Sequence, residues 1–337
     1  MATGDPLSLA IAAGDLIRDR RGKQPQSTPL LHHFKLVGMK GISEFISKLL
    51  RTSGKRRSYE TNLPCRRFSL AELKTATNNF DDNLVIGEDL YSKKRVYKGF
   101  IDDRTISVAV KPTDVRSGKN EVLLLCQLHH PNLVRLIGYY FDKFTMTIVY
   151  EFMVNRNLGD HIYATERHEP LPWKQRLQIC IGVARGLHYL HTGLKHCIYH
   201  RDVKPGNILL DEKWEAKLGA FEVFEMGPPS LSKISIKMES VAVAVLCARR
   251  PLEVSVKREE EAWLPDWAQK CKEEGTKDQI IDPHLTGKIA PECLNIYVDI
   301  ATSCLQIEGK DRPTIVEVEV GLEHALELQE SADAASK

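Results

Sequence analysis

The stretch YHRDVKPGNILL (199–210) places Asp202, Lys204 and Asn207 within one short segment, and KLGAFEVF (217–224) follows closely. Polar groups gathered this way do chemistry only if the surrounding chain folds into a body that fixes them. At 337 residues the chain is long enough to bury an ample core. A composition of 42% hydrophobic and 27% charged residues is that expected of a soluble globular protein.

No uninterrupted apolar run approaches the ~18–20 residues that a membrane helix needs. LSLAIAAG (7–14) lies between Asp5 and Asp15 and lacks a basic start, so no signal peptide is expected. Ala2 rather than glycine follows Met1, which removes the usual myristoylation signal. The eight cysteines (65, 126, 180, 197, 247, 271, 293 and 304) are scattered, with no Cys-x-x-Cys pair. That argues against structural zinc and a disulfide framework, and reduced thiols in a cytoplasmic setting are the expectation.

The net charge of +2 hides an asymmetry, because residues 1–67 hold 13 Lys and Arg against 5 Asp and Glu. The rest of the chain is therefore net acidic, which argues against nucleic acid as a partner and for a basic arm. Residues 1–67 read as that arm, with polar, proline-bearing stretches such as GKQPQSTP (22–29). Within it, Ile42, Phe45, Ile46, Leu49 and Leu50 recur at the spacing of one helical face. Lys40, Lys48, Arg51, Lys55, Arg56 and Arg57 surround that stripe. Residues 40–57 fit an anionic membrane surface, which would put the protein at the inner face of the plasma membrane. A helix docked on the body, or a plain basic tail, is the other reading of the same residues. Ser58 and Ser69 are candidate phosphorylation positions that would weaken membrane attachment.

From Phe68 onward the pattern is that of a folded α+β chain. RTISVAVKP (104–112) and TIVYEF (147–152) read as strands, and VLLLCQLHH (122–130) as a short helix. WKQRLQICIGVARGLHYLHTG (173–193) has long helical periodicity with Gly193 as its stop. ECLNIYVDIATSCLQ (292–306) and TIVEVEVGLEHALELQE (314–330) are further amphipathic helices. The expected architecture is two lobes: a strand-rich small lobe over 68–153, a helical large lobe over 154–330, and a tail over 331–337.

The wording of several blocks resembles plant receptor-like protein kinases, and within them the FERONIA-type, malectin-domain group. The blocks are CRRFSLAELKTATNNF (65–80), HPNLVRLIGYY (130–140), LPWKQRLQICIGVARGLHYLHTG (171–193), HRDVKPGNILLDEKWEAKL (200–218), LCARRPL (246–252), IIDPHLTGKIAPE (280–292) and DRPTIVEV (311–318). The resemblance implies a two-lobe protein-kinase fold, ATP and magnesium as cofactors, and receptor-like kinases or other signalling proteins as partners. It implies that Lys111 of VAVK grips the nucleotide phosphates with Glu121 as its ion-pair partner. Asp202 would accept the substrate proton, Lys204 would steady the phosphoryl group, and Asn207 would hold a magnesium. Backbone groups of Glu151 and Met153 in YEFM (150–153) would meet adenine, with Tyr150 at the gatekeeper position. His200 and Arg201 would be scaffold.

Four departures from the family set the functional expectation. The phosphate-covering loop in IGEDLYSKKRVYKG (86–99) keeps Gly87 but puts Asp89 and bulkier residues where further glycines belong. Ala220 stands where a magnesium-binding aspartate is expected, with Glu222 two positions on as a weak substitute. The activation segment and peptide-docking loop are largely deleted, leaving GPPSLSKISIKMES (227–240). Arg312 loses the glutamate of that segment and is expected to face water or find another carboxylate. Few residues separate Lys111 from Glu121, so the helix carrying Glu121 is expected to lack its first part. Together these point to a pseudokinase that binds ATP weakly and magnesium poorly and serves as a scaffold. An active Ser/Thr kinase is the alternative.

Overall fold

The computed structural model describes residues 65–88, 94–142, 144–163, 169–194, 196–227, 239–250 and 263–336. The amphipathic stripe at 41–50, Ser58 and Asp89 lie outside the described residues, as does most of 227–240. The first described lobe is a six-stranded sheet with two helices. Its elements are β1 (Arg66–Arg67), α1 (Leu70–Ala76), β2 (Val85–Glu88), β3 (Arg95–Ile101), β4 (Ile106–Thr113), α2 (Val115–Leu125), β5 (Leu136–Phe141) and β6 (Met146–Glu151). The strand order is β1-β5-β6-β4-β3-β2, antiparallel throughout except for the parallel β1–β5 pair. Alternation along β4 sends Val108 and Val110 into a core with Phe68, Leu73, Ala76, Ile101 and Val149. The sheet thus takes in Arg66–Arg67, the last two residues of the expected arm.

The helix after β4 starts seven residues earlier than its apolar run suggests. Asp114 is the reason: its carboxylate accepts the backbone N–H groups of Arg116 (3.1 Å) and Ser117 (3.0 Å), capping α2 over a polar first turn. Gly118 then lets α2 lie close on the sheet. A Cβ there would sit 3.0 Å from Met146 Cγ and closer still to Thr113 Cγ2.

The second lobe is mostly helical, with short strand pairs. Its elements are α3 (Leu158–Ile162), α4 (Trp173–Thr192), β7 (Cys197–Tyr199), β8 (Ile208–Leu210), β9 (Ala216–Leu218), β10 (Glu225–Gly227), α5 (Glu239–Cys247), α6 (Leu264–Glu273), α7 (Pro291–Cys304) and α8 (Ile315–Ala335). β7 pairs with β10 and β8 with β9. α8 runs on to Ala335, through most of the segment expected to be a tail.

A fully buried guanidinium organises this lobe. Arg176 of α4 donates to Leu171 O (2.9 Å), Val245 O (2.8 Å) and Asp282 Oδ2 (2.5 Å). Asp282 in turn donates its backbone N–H to Leu246 O (2.9 Å). One charge pair therefore fastens α4, the end of α5 and the loop before α7. Tyr297 of α7 donates to Ala242 O (2.8 Å) and packs edge-on against Trp173 (4.8 Å), closing the same junction from the other side.

One expectation is overturned. Cys65 and Cys126 form a disulfide, with Cα atoms 6.0 Å apart, and the other six cysteines are buried thiols outside any disulfide. Spacing of 61 positions gave no hint of this. Only the parallel β1–β5 pairing brings the start of the sheet to the end of α2.

Two stability predictions follow from this packing. Asp282→Ala leaves the Arg176 guanidinium buried without its carboxylate, which costs about 3–5 kcal/mol. Urea unfolding with an unchanged m-value should show it, and a loss under 1 kcal/mol would contradict the clamp. His191, near the end of α4, packs edge-on against Tyr199 (5.5 Å), and burial lowers its pKa to about 4. The folded form resists a proton that the unfolded chain accepts near 6.5, so its stabilisation is present above that pH and lost as pH falls. From pH 7 to 5 the wild type should lose about 2 kcal/mol more than His191→Phe. Parallel pH profiles for the two proteins would refute the assignment.

Candidate functional site

The loop between β7 and β8 presents the three polar side chains quoted at the outset. Lys204 Nζ lies 3.0 and 2.8 Å from the two carboxylate oxygens of Asp202. Asn207 Nδ2 donates to Asp202 O and to Asp202 Oδ2, both at 2.8 Å. Asn207 O accepts the N–H of Gly219 (3.0 Å), joining the loop to the segment that holds Ala220. Asp202 is thus held at a fixed angle by a cation and an amide.

His200 sits beneath this loop. Its Nδ1 accepts the Asp202 N–H (3.3 Å), so Nε2 carries the proton and donates to Gly219 O (2.7 Å). Complete burial lowers its pKa to about 4 and keeps the ring neutral. The ring also packs edge-on against Phe221 at 4.7 Å. Arg201, in the left-handed region at φ 70°, pairs with Glu225 of β10 at 3.3 Å. Both residues connect the loop to its surroundings.

Across from the loop lies a buried charge cluster. Lys111 of β4 contacts Glu222 directly, and its Nζ lies 3.7 Å from Glu121 Oε2. Glu121, fully buried on α2, also accepts Tyr150 OH (2.6 Å) and the Phe221 N–H (3.4 Å) on Oε1. Burial, more than the nearby Glu222, raises the Glu121 pKa, and Lys111 partly offsets the rise. Ala220 adopts φ 63°, and its methyl offers no ligand to a cation. Phe221 behind it is fully buried.

The shortened α2 thus still brings Glu121 to Lys111, because Gly118 permits the close approach described above. The structure differs from expectation in the partner it adds: Glu222 turns to the lysine. Its signal in the sequence was a single carboxylate two positions after Ala220. Tyr150 was placed by resemblance at the gatekeeper position, but nothing in the sequence indicated its bond to Glu121.

The remaining candidates are more dispersed. Gly87 lies in β2, exposed and opposite Val96, with open space where a Cβ would stand. Glu151, at the end of β6, accepts the Arg135 N–H (2.8 Å) and lies 3.7 Å from Lys217 Nζ. Met153 is buried just beyond it, with its carbonyl taking the Arg156 N–H (3.3 Å). Arg312 Nε donates to Gln306 O (2.7 Å) at an exposed position.

The sequence also matches known proteins. Residues 83–239 match the protein kinase domain family. The receptor-like protein kinase FERONIA of Arabidopsis thaliana is 41% identical over 316 residues, covering 83% of this chain and 35% of FERONIA. ANXUR2 of the same plant is 44% identical over 304 residues, 80% of this chain and 35% of ANXUR2. THESEUS 1 is 35% identical over 354 residues, 94% of this chain and 41% of THESEUS 1. The chain spans roughly a third of the length of such relatives, and among the described residues no helix is long and apolar enough to cross a membrane. With a strand-rich lobe, a helical lobe and these relatives, the chain carries a protein kinase domain homologous to those of the receptor-like kinases FERONIA, ANXUR2 and THESEUS 1.

Proposed function

We propose that this chain is a catalytically impaired receptor-like kinase domain, a pseudokinase that acts as a signalling scaffold. The observation that carries the reading is the engagement of Lys111 by Glu222. In kinases of this fold a lysine at the Lys111 position meets the α/β-phosphates of ATP. Here nucleotide would have to draw the ammonium from a buried carboxylate, leaving the Glu222 side chain beside Glu121 and the incoming phosphates without its cation. Like charges gathered at low dielectric are strongly disfavoured.

Magnesium fares no better. The hard oxygen ligand it needs is replaced by the Ala220 methyl, and Asn207 alone offers little. The residues present therefore fit Mg·ATP poorly, and no transfer step is assigned to them. Only residues 228–238 lie between β10 and α5, too few to form a family-length activation segment and substrate platform. The reading extends to a cytoplasmic protein that holds receptor-like kinases or other signalling proteins. Residues 40–57 would hold it against an anionic membrane surface.

The Asp202–Lys204–Asn207 arrangement favours a second reading, an active Ser/Thr kinase, because the groups that handle the substrate proton and phosphoryl charge are assembled. One set of variants separates the two. Wild type should show little thermal stabilisation by ATP and little added effect of magnesium. Glu222→Gly, which releases Lys111, should tighten nucleotide binding at least tenfold, about 1.4 kcal/mol. Ala220→Asp alone should give no measurable radiolabel transfer to a generic protein substrate, since Lys111 stays engaged and the platform stays absent. Magnesium-dependent micromolar ATP binding by wild type would contradict the weak-binding reading. Transfer by the single Ala220→Asp variant would mark Ala220 as the lone defect of an otherwise serviceable kinase, and transfer by wild type itself would establish the enzyme reading.

A further inference from the structure

The fold sorts the eight cysteines of the chain into two classes. Six are buried thiols outside any disulfide, at Cys180, Cys197, Cys247, Cys271, Cys293 and Cys304. Burial raises the thiol pKa of Cys180 to about 11 and also raises those of Cys197, Cys247 and Cys293. Such thiols lack both the thiolate and the access that exchange chemistry requires. The remaining two, Cys65 and Cys126, are only half-buried and are bonded to each other. A redox reagent in solution therefore meets one addressable sulfur pair.

That pair joins two parts that need holding. Cys65 immediately precedes β1, an edge strand of two residues paired only at Arg66↔Gly138 and Arg67↔Tyr139. Cys126 is the C-terminal cap of α2, five positions after Glu121. The bond ties the outermost strand to the helix that carries one carboxylate of the Lys111 cluster. Short, exposed pairings of this kind open at little cost, so a covalent tie there has leverage.

We propose that Cys65–Cys126 is a reversible thiol–disulfide site whose redox state sets how firmly β1 and α2 are held. A thiolate of a small dithiol or of glutathione type attacks one of the two sulfurs. The Cys65–Cys126 bond breaks, and the other cysteine leaves as a thiolate and takes a proton. A second thiol displaces the mixed disulfide, so the protein gains two electrons and two protons while the reductant becomes a disulfide. An oxidised partner of the same class drives the reverse. The inference does not depend on whether the chain transfers phosphate.

The test uses the full chain equilibrated across ratios of reduced to oxidised glutathione. Thiol alkylation with peptide mapping reads the linkage, and hydrogen exchange reads residues 66–67 and 115–125. Oxidised protein should yield a linked peptide containing both cysteines. Reduction without denaturant should expose two alkylatable thiols, speed exchange in both segments at least tenfold and lower Tm by roughly 10 °C. Reoxidation should reverse all three changes, and Cys65→Ser/Cys126→Ser should be insensitive to the buffer. Free thiols at both positions under oxidising conditions would overturn the proposal. So would a link that resists native reduction, or reduction that leaves exchange unchanged.

Discussion

Lys111 carries one positive charge and faces two buried carboxylates, those of Glu121 and Glu222. A charge taken from water into a protein interior loses several kcal/mol of solvation, so each must find compensation locally. Glu121 finds it in Tyr150 OH, the Phe221 N–H and the ammonium. Glu222 finds it chiefly in Lys111, and its Oε2 accepts no hydrogen bond among the described residues. The upward displacement of the Glu121 pKa comes chiefly from burial, with Glu222 adding to it and Lys111 offsetting part of it. The Lys111 ammonium is engaged from both sides, and anything that takes it must break an ion pair already made.

Local backbone chemistry assembles the cluster. Asp114 starts α2 early enough to give it three turns, Gly118 lets it lie close to Thr113 and Met146, and Glu121 follows on the buried face. On the other side, the Ala220 turn at φ 63° precedes buried Phe221 and brings Glu222 to the lysine. The two sides meet through the Phe221 N–H, so a change in either moves the other. The Asp202 loop takes its shape from bonds that do not involve Lys111 or Glu222: Lys204 and Asn207 on Asp202, and His200 and Asn207 on Gly219. A well-formed loop can therefore coexist with an obstructed pocket.

Much of this was legible from residues alone. The long period of WKQRLQICIGVARGLHYLHTG marked α4 to within a residue, and alternation in RTISVAVKP marked β4. The early start of α2 was not legible, because its first turn is polar and the deciding signal is the Asp114 cap. The Cys65–Cys126 bond was missed because a bond across 61 positions depends on sheet topology, not on spacing. Position 222 was visible as an oddity after Ala220-Phe221, but its partner lies 111 residues away and emerges only when β4 and this segment face each other.

A double-mutant cycle on Lys111 and Glu222 tests the central claim most directly. Lys111→Met, Glu222→Gln and the double variant would be compared with wild type by urea unfolding, in the absence of nucleotide. Each single change strips a buried charge of its partner, whereas the double change removes the pair together. The account predicts a coupling energy of at least about 1.5 kcal/mol, with the double variant more stable than the sum of the single losses implies. Additive losses within about 0.3–0.5 kcal/mol would mean that Glu222 does not hold Lys111, and the obstructed-pocket account would fail.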